Sequence, residues 1–220
     1  MLSEELHQRL DLMGARLWAA ARRLWSHPRV AQIYPELLFR FYSLARANLS
    51  VLQAAVDRLE TLTDDPVAAG LLGFLRDFMP EELGHDEWVL EDLEALGISR
   101  QAVLARMPPA AVASLMGAQY YWIHHHHPLS VLGYCFVAET RPAPLDQVED
   151  LIRRTGLPRT AFRTLLRHAV LDVEHGAAVE RFVDSLSLTR EQLSIVGVSL
   201  AHTAHCMALS TEELVDLYEG

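Results

Sequence analysis

Within "RHAVLDVEH", residues 167–175, His168, Asp172 and His175 stand in the spacing H-x3-D-x2-H. On a helix turning about 100° per residue, Asp172 lies roughly 40° to one side of His168 and His175 about 20° to the other. Three titratable groups therefore project from one face over two turns. Leu165, Val179 and Phe182 share or flank that face, which marks it as a stripe turned toward a core. Ionisable groups in such a stripe are costly unless something pairs them, and imidazole with carboxylate is a donor set for a transition metal.

Two other passages supply matching groups. "PEELGHDEWVLEDL", residues 80–93, sets Glu82 three positions before His85, about 60° apart if both are helical. Pro80 with Glu81 and Glu82 suits an ordinary first helical turn. Gly84 fits that account poorly, because it weakens a helix interior by about 1 kcal/mol against Ala; a neighbour lying close on the backbone would justify it. Glu139 is the single acid between Glu94 and Asp146 and ends the apolar run "HPLSVLGYCFVAET". A helix C-terminus disfavours an anion there unless a cation is near.

The elements that must position these groups read as helical nearly throughout, with apolar residues at three- and four-residue spacing. Helices are expected at 3–25, 35–61, 67–96, 110–126, 130–140, 145–154, 159–186 and 190–217. The breaks "SHP", "TDDP", "GIS", "MPP", "RPAP" and "TGLP" each combine a capping residue, Gly or Pro. With no internal repeat and no change of composition along the chain, residues 1–220 are expected to form a single all-α bundle domain.

Composition bounds the function. The formal charge of -10 speaks against nucleic acid and against an anionic membrane surface. Acids at positions 4, 5 and 11 interrupt any apolar leader core, and no apolar run is expected to span a bilayer. Two cysteines in apolar surroundings fit a reducing cytoplasm. The placement of the eleven histidines matters more than their number.

Taken together, three carboxylates and three imidazoles suit a two-iron site in a helical bundle. Glu82, His85 and one histidine of the 168/175 pair would hold one ion. Asp172, the other histidine and Glu139 would hold the second, with a carboxylate able to bridge. Two Fe(II) ions against three carboxylates leave about one positive charge, whereas the empty site crowds three negative ones.

In these residues, E-x-x-H, a lone downstream Glu and H-x3-D-x2-H in that order, the chain resembles the haem-oxygenase-like diiron oxidases and oxygenases. The likeness runs from about Tyr34 to Leu186, and all six positions of the motif are occupied. It implies one compact haem-oxygenase-like bundle of seven to eight helices, two Fe(II) ions as cofactor and O2 as co-substrate. The metal ligands would be Glu82, His85, Glu139, His168, Asp172 and His175. It also implies a small-molecule substrate and admits an external electron donor and a homodimer. Activities in the family include N-oxygenation of amines, oxidative cleavage of amino acids, decarboxylation of fatty acids, and consumption of a tyrosine to give p-aminobenzoate. The fold therefore names the reagent and not the substrate.

Several residues carry secondary expectations. Asp92, two turns after His85, is placed behind the ligands or on the surface. Cys135, one turn before Glu139, is placed at the pocket or in the core. Tyr120, Tyr121 and Tyr134 are pocket candidates, with core packing as the alternative. The run His124–His127 is expected to be a solvated helix end. Arg163 and Arg167 are candidate binders of a substrate carboxylate, or partners of exposed acids.

Overall fold

The computed structural model describes residues 1–219 and forms α1 (Leu2–Met13), α2 (Ala15–Ser26), α3 (Val30–Leu59), α4 (Pro66–Phe78), α5 (His85–Ala95), α6 (Arg100–Leu104), α7 (Ala110–His125), α8 (Val131–Glu139), α9 (Leu145–Thr155), α10 (Arg163–Ser185) and α11 (Arg190–Asp216). Short 3-10 turns at Pro128–Ser130 and Arg159–Phe162 lead into α8 and α10. No strand occurs among the described residues.

The fold class is as expected; the count of seven to eight helices is corrected to eleven, and the corrections have local causes. The expected helix 3–25 is divided at Gly14, where an added Cβ would sit 2.5 Å from the Leu10 carbonyl oxygen. The expected helix 67–96 is divided at residues 79–84. Gly84 adopts φ 88°, a left-handed backbone that stops one helix and starts the next. Nothing lies within 4 Å of the position its Cβ would take, so the close neighbour expected at Gly84 is absent and its backbone conformation is the reason for the residue. The helix expected to open at Pro35 begins at Val30 and carries Pro35 inside it. As the sixth residue of the helix, Pro35 removes one ladder donor without ending it. The five-residue α6 was not foreseen.

α8 forms the centre. Every residue from Val131 to Val137 is buried, as is Glu139, and α10 and α11 pack against it. Two glycines let them approach. A Cβ on Gly133 would meet the α11 carbonyl oxygen of Val196 at 2.3 Å, and one on Gly176 of α10 would meet the Glu139 carbonyl oxygen at 2.8 Å. The expectation that no segment is apolar enough to cross a membrane needs amendment. By length and composition alone α11 qualifies, and the bundle uses that apolarity, burying Val196, Leu200, Ala204 and Leu214 beneath its neighbours.

Candidate metal centre

The six groups singled out by spacing reach one place by three routes. Glu82 comes from the turn between α4 and α5, and His85 is the first residue of α5. Glu139 ends α8, and His168, Asp172 and His175 stand on α10. Glu82 and His85 are thus not one helical face; a turn closed by Gly84 brings His85 Nδ1 to 3.4 Å from Glu82 Oε2. His175 Nδ1 lies between two carboxylates, 3.6 Å from Glu82 Oε1 and 3.6 Å from Glu139 Oε2. One donor atom each from Glu82, Glu139 and His175 falls within 4.8 Å of the others. The imidazoles converge, with ring centroids 4.9 Å apart for His85 and His168 and 6.5 Å for His85 and His175. His168 and Asp172 face the same cavity as Glu82, His85 and Glu139.

Buried polar atoms without partners test whether a cation fits. Glu82 Oε1, His85 Nε2, Asp172 Oδ1 and His175 Nδ1 are all buried with no hydrogen-bond partner. Such atoms are rare in folded proteins because each forfeits its hydration. Four of them on four candidate ligands fit a site built for metal.

Electrostatics agree. Burial pushes the Asp172 carboxyl from its ordinary 3.8 up to about 8, and the nearby Glu139 carboxylate adds to the shift. Burial likewise raises Glu139, with Glu82 reinforcing it and His175 opposing. Burial also acts upward on Glu82, but His85, His175 and His168 outweigh it and hold that carboxyl below the usual range. Burial lowers His168, which keeps its imidazole neutral and available as a ligand. His175 is raised, chiefly by Glu139.

A set of outer contacts orients these groups. Asn48 on α3 donates from Nδ2 to Glu82 Oε2 at 2.8 Å, and its Oδ1 accepts from the Tyr134 hydroxyl at 3.0 Å. His168 Nδ1 lies 2.8 Å from the Thr164 carbonyl oxygen; donation there leaves Nε2 as the ligating atom. Glu81 Oε2 lies 3.1 Å from His175 Nε2 and favours Nδ1 as that residue's inward atom. Asp92 is fully buried and accepts from the backbone N–H of Thr164 at 2.8 Å and of Arg163 at 3.2 Å. It therefore caps α10 one turn before His168, and its alternative placement on the surface is corrected.

The remaining candidates sort by position. Tyr121 is 62% exposed and cannot line a pocket, and Tyr120 packs against the apolar core outside the cavity wall. Of the three tyrosines, Tyr134 faces the cavity. Cys135 belongs to the core, and burial drives its thiol well above the ordinary range. Arg163 pairs with Glu91, and Arg167 lies over the Trp88 ring; neither borders the cavity. In the histidine run, His124, His125 and His126 are exposed, while His127 accepts from Leu129 N and meets Asp65. Sequence reading missed Asn48, Glu81, Thr164 and Arg40. Asn48 left a signal, a lone amide on the α3 stripe that runs on through Val51, Leu52 and Ala55.

The cavity has a volume of about 300 Å³ and a largely apolar wall, including Leu37, Phe41, Leu44, Leu115 and Leu165, with the carboxylate–imidazole cluster at one side.

Residues 41–204 match the family model described as "iron-containing redox enzyme". No curated protein matches the chain. Among solved structures, a domain of unknown function with a haem-oxygenase-like fold from Shewanella denitrificans superposes with a TM-score of 0.81 at 18% identity, covering 100% of this chain and 94% of that one. A TenA homologue from Pseudomonas syringae gives 0.72 at 11% identity, covering 98% and 93%. A CADD-like protein of unknown function from Nostoc punctiforme gives 0.69 at 15% identity, covering 97% and 98%. At these identities the likeness concerns the fold, which is haem-oxygenase-like.

Proposed function

The chain belongs to the iron-containing redox enzyme family, and from that premise we propose that it is an O2-dependent non-haem diiron oxidoreductase acting on a small carboxylate- or amine-bearing metabolite. Glu82, His85, Glu139, His168, Asp172 and His175 would hold two Fe(II) ions. The observation that carries this reading is the set of four buried, partnerless donor atoms on Glu82, His85, Asp172 and His175. When bound, a ferrous pair supplies the electrons and Lewis acidity that dioxygen chemistry requires.

The chain's own groups have definable tasks. Thr164 and Glu81 fix which nitrogen of His168 and of His175 turns inward. Asn48 holds one oxygen of Glu82 and leaves Oε1 free. Asp172, raised by burial to about 8, gives up its proton as cations arrive, so loading is coupled to proton release. The largely apolar wall lowers the polarity around the reacting centre.

Anaerobic titration of chelator-treated protein with Fe(II) tests the reading: binding should saturate at two equivalents. Admission of air should then give a transient visible absorption whose decay is hastened by the substrate. His168→Ala or Asp172→Ala should lose one or both equivalents. Full loading in either variant would sink the ligand assignment, and slow substrate-independent accumulation of ferric ion would favour iron storage.

A specific observation favours a second reading, in which a tyrosine of the chain is itself consumed. Tyr134 borders the cavity and is linked through Asn48 to Glu82. A mass loss on the Tyr134 peptide after iron and air would support it; an unchanged peptide after turnover would exclude it.

A further inference from the structure

Arg40 lies on α3, borders the cavity and is 6% exposed. Its Nη1 donates to the Ser210 carbonyl oxygen at 2.6 Å and to the Ser210 hydroxyl at 2.9 Å, both on α11. Its Nε is buried without a partner. The nearest carboxylate, Glu213 Oε2, is 3.6 Å from Nη1 and its side chain is 42% exposed, which makes it a weak counter-charge. A guanidinium cannot shed its proton, so a buried one with an unused donor calls for an anion. The other arginine at the cavity, Arg141, is already paired with Asp11 at 2.8 Å and is more exposed.

Position along α3 adds a direction. Leu37, Arg40, Phe41, Leu44 and Asn48 recur at helical spacing along the same wall. Asn48 touches Glu82, so it marks the cluster end. Arg40 stands eight residues earlier, roughly 12 Å along the axis at about 1.5 Å per residue. Between them the wall is apolar.

We infer that Arg40 is a specificity-determining anion anchor. The substrate is then a mostly apolar monocarboxylate, held by its carboxylate at Arg40, whose far portion is the part presented to the cluster. The structure thereby separates the recognised group from the reacting one, since the carboxylate lies remote from Glu82, His85, Glu139, His168, Asp172 and His175. The identity of the reacting end rests on the proposed function; the position of the anion does not.

The test is calorimetric binding of straight-chain alkanoates and matched alkanols to metal-free protein, so that a failure here and a failure to load iron are read separately. An alkanoate should bind at least tenfold more tightly than the alkanol of equal length. Arg40→Gln should erase that preference, and Arg40→Lys should restore part of it. Should Arg40→Gln fail to fold, Leu44→Trp supplies a second reading: it narrows the cavity away from the anchor, so it should weaken long chains and spare the acid preference of short ones. Equal affinity for acid and alcohol in the wild type would overturn the inference. So would a preference that survives Arg40→Gln, one that Leu44→Trp abolishes for short chains, or one that appears only after iron is added.

Discussion

Replacing Asp172 with Asn should make the metal-free protein more stable, not less. The Asp172 carboxyl titrates near 8 in the folded chain because burial and Glu139 oppose its charge, against 3.8 for the ordinary group. A raised carboxyl is neutral in the folded state and ionised in the unfolded one between those two values. Stability is therefore lost as pH climbs from about 4 to about 8, by roughly 1.4 kcal/mol per pH unit, and the loss is constant above that window. At pH 7 the cost amounts to about 4 kcal/mol, and at pH 5 to about 2 kcal/mol. Water reaching the cavity wall reduces those figures, so the expected gain for Asp172→Asn at pH 7 is about 2 to 4 kcal/mol, or roughly 5 to 15 °C in Tm for a chain of this size. Equilibrium urea unfolding in the presence of chelator, run at pH 5 and pH 8, measures it directly, and the gap between variant and wild type should widen at the higher pH. Anaerobic Fe(II) should reverse the order, because only the wild type gains the full binding free energy. A metal-free Asp172→Asn protein less stable than the wild type at pH 8 would refute the reasoning and make Asp172 a structural partner.

Four further outcomes are expected. Asn48→Leu removes the donor to Glu82 Oε2 and strands the Tyr134 hydroxyl; iron affinity should fall about 10- to 100-fold in chelator competition, and unchanged affinity would remove Asn48 from the site's support. Glu81→Gln leaves the exposed carboxylate position without charge beside His175 Nε2; affinity should fall by about tenfold with unfolding midpoints unchanged, as expected of a group acting through an imidazole. Gly84→Ala places a side chain at φ 88° in open space and should cost about 1 to 2 kcal/mol in urea unfolding. Gly176→Ala, which meets the Glu139 carbonyl oxygen at 2.8 Å, should cost more and lower iron binding as well.

What was legible in the sequence was which residues gather in one place, more than the geometry that gathers them. His168, Asp172 and His175 lie on one helix, so a period of about 3.6 residues was enough to align them. Glu82 reaches the same cavity although the helix expected to carry it is a turn, because positions three apart are also close when the backbone folds back at Gly84. Apolar residues at helical spacing announced α3, α8, α10 and α11, whereas Gly14 and residues 79–84 show that a helical pattern persists across a bend. Contacts between distant positions left little trace. Arg40 and Ser210 are separated by 170 residues, and nothing near either one marks the pair. Tyr121 misled because both readings of an aromatic residue there, pocket and core, place it inside, whereas it is exposed.

The closeness of α10 to the end of α8 ties two donors to a single length. At Gly176 no side chain stands between the helices, so the strut bearing His175 rests directly on the peptide group of Glu139. The main chain at Gly176 and that at Glu139 therefore shift together. The backbone spacing at this end of the bundle is thus set by the absence of a single methyl group.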